Sequence, residues 1–174
     1  MVIFEIITKI MVSTPIWVWL ILLVLIVRGI SLKRGGAISL KRSCLVPIVF
    51  IAWGLERVFW GFHYPIESLV FYLVLLLVGT MVGLQLYAAT QKYYLKSGKL
   101  MRVGSGVPLV IILSNFIVKY GLNILMAVNP ALLGNEPFNL VYSIISGFTA
   151  GLFVGGIMNT INCKKKLEQE NGMA

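Results

Sequence analysis

Lys119 is the residue whose type and position first ask for chemistry. It lies in "SNFIVKYGLNIL", Ser114 to Leu125, inside a long apolar run. A charge at the centre of a bilayer costs about 2.5–3.5 kcal/mol on insertion scales. Something must offset that cost. Asn115 and Asn123 flank Lys119 at four-residue spacing. In a helix that spacing puts all three on one face, while Ile117, Val118 and Leu125 fall elsewhere on the helix. Such a stripe belongs against the protein interior or a water-filled cavity.

The expected partner is an acid at similar depth. Glu56 and Lys119 each lie about 12 residues from the basic end of their own apolar runs, or roughly 18 Å deep. Glu67 is shallower, and between it and Glu56 stands the single histidine, His63, in "WGFHYPIE". The reading is a charged Lys119 paired with Glu56, inside a polar pocket formed by Glu56, His63, Glu67, Asn115, Lys119 and Asn123 in the outer half of the membrane. A small polar or anionic ligand would suit it. The alternative is a charge pair that only fixes packing and register. Glu67 also suits the first turn of a helix, where a negative charge meets the helix dipole. Arg57 is placed to snorkel to the surface.

Other chemistries find less support. Glu-x6-His-x3-Glu matches no compact metal motif and is interrupted by a proline and a turn, so no metal and no cofactor are expected. No GxSxG nucleophile elbow occurs, and "VGSGVP" is not followed by the lysine of a phosphate loop. No catalytic residue is assigned. Cys44 and Cys163 are too few and too far apart for a disulfide framework and are read as free thiols.

The elements that hold these residues follow from composition. The chain has 174 residues, 59% hydrophobic and 12% charged, with a mean hydropathy of +0.93. A soluble domain carries about 25% charged residues. Five apolar runs stand out, at about 15–30, 44–60, 65–89, 107–128 and 137–163. About 20 helical residues cross a bilayer, and transmembrane strands would be shorter and alternating. The expected fold is therefore an all-α integral membrane bundle of five transmembrane helices in one domain. The first dozen residues, "MVIFEIITKIMV", read as a short amphipathic helix, with Glu5 and Lys9 spaced for a pair. Thr14 and Pro15 suit the start of the first span.

Net charge is +9, and its distribution is informative. Lys33, Arg34, Lys41 and Arg42 separate runs one and two. Lys92, Lys96, Lys99 and Arg102 separate runs three and four, and Lys164, Lys165 and Lys166 follow run five. The loops "GFHYP" and "NPALLGNE" carry no Lys or Arg. By the positive-inside rule the N-terminus is outside and the C-terminus cytoplasmic. The basic clusters suit anionic lipid headgroups, and no pattern suggests nucleic acid.

Small residues recur in the third and fifth runs: Gly79 and Gly83, then Ser143, Gly147, Gly151 and Gly155. Four-residue spacing of small residues lets helix backbones approach closely. The face is read as tight packing within the chain or, alternatively, as a homodimer contact.

"TPIWVWLILLVLIVRGISLKR", "LVPIVFIAWGLE" and "NFIVKYGLNILMAVNP" resemble segments of a group of small bacterial inner-membrane proteins. The resemblance implies a bacterial inner membrane and no activity, so no site residue is carried over from it. Two function classes follow from the residues: a small transporter, channel or ligand-binding membrane protein, or a non-catalytic accessory or structural subunit. An intramembrane enzyme is a weaker third. The orientation is tested by reporter fusions. A cytoplasm-active reporter after Ala174 should give signal and one after His63 should not; the reverse pattern contradicts the charge reading.

Overall fold

The computed structural model describes residues 16–96 and 98–170, apart from the side chains of Trp17, Arg28 and Lys41. The N-terminal amphipathic helix and the Thr14–Pro15 start lie outside the described residues. The helices are α1 (Ile16–Arg34), α2 (Leu40–Ser43), α3 (Leu45–Trp60), α4 (Pro65–Thr90), α5 (Val107–Val128) and α6 (Glu136–Glu170), with a 3-10 turn at Pro130–Gly134. The strands are β1 (Gly36–Ala37), β2 (Tyr93–Lys96) and β3 (Lys99–Arg102).

The protein is mostly helical. Among the described residues, α4, α5 and α6 are long and apolar enough to cross a membrane. At 35 residues, α6 rises about 52 Å, well beyond an apolar layer about 30 Å thick. Its last turns carry "CKKKLEQE", with a Lys164–Glu168 ion pair of 3.5 Å one turn apart. The 16 residues of α3 rise only about 24 Å.

The all-helical expectation needs one correction. The basic connections fold into an antiparallel sheet of order β1-β3-β2. Tyr93 pairs with Arg102 and Lys96 with Lys99, so two residues join the strands, with Gly98 at φ +70°. That left-handed backbone suits glycine. Gly35, at φ +74°, brings the end of α1 against the exit of β3; a side chain there would meet the Gly104 amide nitrogen at 2.6 Å.

The topology sorts the connections into two ends. The α3–α4 turn and the 3-10 turn meet where the His63 amide donates to the Leu133 carbonyl at 3.2 Å. The sheet, α2 and the tail of α6 form the other end. Lys33, Arg34, Lys92, Lys96, Lys99, Arg102 and Lys164 all belong to that second end.

The most extensive helix contact is between α4 and α6, and the small residues explain it. A side chain at Gly83 would meet the Leu152 carbonyl at 2.5 Å, and one at Gly155 the Leu84 nitrogen at 2.6 Å. Gly79 and Gly147 lie against the backbone of Phe148 and Tyr72 in the same way. Ser143 is fully buried on the same side of α6. The glycine face is thus packed against α4 of the same chain. Small residues at four-residue spacing are what lets two helix backbones approach this closely.

Gly151 is the sharpest probe of this contact, since a side chain there would meet the Thr80 nitrogen at 2.7 Å. Gly151→Leu should cost about 3 kcal/mol or more, at the upper end of overpacking, and lower the thermal midpoint in detergent. An unchanged midpoint would show that α4 and α6 do not meet closely.

Candidate functional site

The inward face of α3 is set by helical period. Val46, Phe50, Gly54 and Val58 are buried at four-residue spacing. On α5, Pro108, Ile112, Asn115, Phe116, Lys119 and Met126 are buried. Lys119 lies where these two faces meet, and it is 0% exposed.

Its ammonium donates to the Phe50 backbone carbonyl at 2.8 Å. A carbonyl has two lone pairs, so it can serve the helix and the lysine together. The ammonium also stands 5.6 Å from the centroid of the Phe50 ring, within reach of a cation–π attraction. Gly54 makes room for it. A side chain at Gly54 would meet Lys119 Nζ at 3.3 Å and the Tyr72 ring at 2.8 Å. Tyr72, fully buried, brings its hydroxyl to within 3.2 Å of that same point.

The expected Lys119–Glu56 pair does not form. Glu56 Oε2 instead meets Arg57 Nε at 3.4 Å, and the Glu56 side chain is 53% exposed. The reason is helical phase. Residues of equal depth need not share a face, and Glu56 is two residues from both Gly54 and Val58, on the other side of α3. Lys119 also leans back toward the start of its own helix, as helical side chains do, and so reaches Phe50 rather than residue 56.

His63 is exposed and bonded elsewhere. Its Nδ1 lies 3.0 Å from the Leu133 carbonyl, to which Asn139 Nδ2 also donates at 3.0 Å. His63 therefore fastens two connections. Glu67 is exposed in the first turn of α4. The structure therefore brings Asn115, Lys119 and Asn123 together and leaves Glu56, His63 and Glu67 outside.

Around Lys119 the core is unusually polar. Asn123 Nδ2 donates to the Lys119 carbonyl at 2.8 Å. Both ends of the buried Asn115 amide lack a protein partner, as do the hydroxyls of Ser68, Tyr72 and Ser143. Tyr142 is within interaction range of Asn123, Ser146 and Tyr72. Buried polar groups are nearly always hydrogen-bonded, so this concentration sets the Lys119 core apart from an ordinary apolar one. Of the hydroxyls of α4 and α6, sequence reasoning reaches Ser143 alone, and as a packing residue. For α6 the signal is present in the tyrosine and two serines of "YSIIS", which share the glycine side of α6.

A second feature lies at the basic end, where a cavity of ≈ 60 Å³ is lined by Tyr93, Arg102 and Thr160 among others. Tyr93 is bonded to Thr160 at 3.0 Å between hydroxyl oxygens. Burial pushes the Tyr93 phenol above its ordinary value, against the Thr160 bond and the Arg102 charge that pull it down.

A double-mutant cycle separates the two arrangements of Lys119. Glu56→Gln should change stability by less than about 0.5 kcal/mol, as at an exposed site. Lys119→Met should be neutral or stabilising, since no carboxylate is left buried without its partner. The two effects should add within about 0.5 kcal/mol. A loss of about 3–5 kcal/mol for Lys119→Met, partly recovered in the double variant, would restore the ion pair.

No curated protein and no solved structure matches the chain. A family model matches residues 3–166, nearly the whole length, and its description is a family of unknown function, DUF6622. By this match the chain belongs to the DUF6622 family.

Proposed function

We propose that this is a five-span bacterial inner-membrane protein that binds a small polar or anionic molecule in the core around Lys119. The observation that carries the reading is a fully buried lysine beside an Asn115 amide and a Tyr72 hydroxyl that have no protein partner. A purely structural lysine calls for a carboxylate or a complete set of acceptors, because a buried charge is costly until it is paired and hydrogen-bonded. An anionic or polar guest supplies both the counter-charge and the missing partners. Transport across the membrane would require this core to open in turn to either side.

The orientation in this proposal is N-terminus outside and C-terminus cytoplasmic. What supports it is the gathering of the basic connections at one end of the bundle, as a cytoplasmic face requires. A second reading is an accessory or structural subunit. It is favoured by the 2.8 Å bond from Lys119 to Phe50, which ties α5 to α3 without any guest.

Native mass spectrometry of the detergent-purified protein decides between them. The ligand reading expects a small-molecule adduct on the wild type that is lost in a folded Lys119→Met variant. The same spectrum reports the number of copies in any homo-oligomer. A wild type without adduct, together with a Lys119→Met variant of lowered stability, supports the structural subunit.

A further inference from the structure

The cavity at the basic end is separate from the Lys119 core and has its own chemistry. Arg102 enters it from β3, Tyr93 from β2 and Thr160 from α6. Thr160 Oγ1 donates to the Gly156 carbonyl at 2.9 Å, so the Tyr93 hydroxyl is the donor in its bond to Thr160. That bond clamps the hairpin to α6 and fixes the wall on which Arg102 stands. The Arg102 Nε is itself buried.

One helix begins at this cavity, with Pro108 in the first turn of α5, while Val46 and Pro47 lie where α3 continues from α2, the Cys44 amide already donating to the Leu40 carbonyl. The 22 residues of α5 place a partial positive charge of about half an elementary unit at its start. A guanidinium and a helix start therefore converge, and no Asp or Glu stands among the lining residues. Such a site selects an anion, and arginine geometry suits a phosphate.

The opposite wall is apolar. Ile112 and Phe153 line it and belong to the hydrophobic core. A volume of ≈ 60 Å³ exceeds the room for one water, about 10–15 Å³ on this measure, and admits a small polyatomic group. A polar anion pocket with an apolar wall, at the end of helices that cross a membrane, lies at headgroup level.

We propose that this cavity binds a phosphate group, that of an anionic phospholipid headgroup in the leaflet at the basic end of the bundle. Arg102 holds the phosphate beside the start of α5, and the apolar wall faces the upper part of an acyl chain. The inference rests on the membrane placement of the bundle and not on a ligand at Lys119.

The test is thermal unfolding of the full chain in detergent, titrated with dioctanoyl phosphatidylglycerol, dioctanoyl phosphatidylcholine or inorganic phosphate. The phosphatidylglycerol should raise the midpoint and the phosphatidylcholine should not. Arg102→Gln should weaken the effect at least about tenfold, the scale of one charged hydrogen bond, and Arg102→Lys should recover part of it. Ile157→Trp, which fills the cavity without touching a charge, should abolish it, and serves if Arg102→Gln does not fold. A variant with Lys164, Lys165 and Lys166 all changed to Gln should keep it. An equal response to inorganic phosphate would assign the site to free phosphate and overturn the lipid source. The proposal fails if neither anion stabilises the wild type, or if the triple lysine variant alone loses the effect.

Discussion

An ammonium group enclosed by a helical bundle has to be solvated by protein, and the rest of this core is arranged around that requirement. The Phe50 carbonyl supplies the hydrogen bond at 2.8 Å, and the Phe50 ring supplies the face of an aromatic. Gly54 supplies space. These three come from one helix and occupy one face of it, because residues four apart stand above one another. A larger residue at position 54 would displace both the ammonium and Tyr72.

The same requirement reaches α4 and α6 through Tyr72. Gly147 lies against the Tyr72 backbone, while the Tyr72 ring lies against Gly54. Close packing of α4 on α6 thus sets the distance between the Tyr72 hydroxyl and Lys119. The glycines act on the site by position, without touching it. The stacked rings of Phe50 and Phe153, 5.4 Å apart, tie α3 to α6 and close the core on the side of the basic end.

Some of this was legible in the sequence, and the reason is locality. The stripe of Asn115, Lys119 and Asn123 repeats within one helix, and periodicity reports it directly. The basic connections are a property of composition along the chain. Glu56 was misassigned because depth was compared without phase; two residues along a helix reverse the face. The glycine face declared close packing but not its partner, which is α4 of the same chain. "YYLKSGKLMR" alternates around Ser97 and Gly98 as a hairpin does, but its lysines drew the reading toward a charged loop. The cavity at the basic end joins residues from eight elements, and no local pattern carries that convergence.

A density map at side-chain resolution, of the protein in a lipid disc, bears most directly on the claim that Lys119 is solvated by a backbone carbonyl and a polar guest. The account predicts Lys119 Nζ at hydrogen-bond distance from the Phe50 carbonyl, Glu56 turned outward to Arg57, and non-protein density against Asn115, Tyr72 or Tyr142. Glu56 turned inward onto Lys119, with continuous protein packing and no such density, would contradict it.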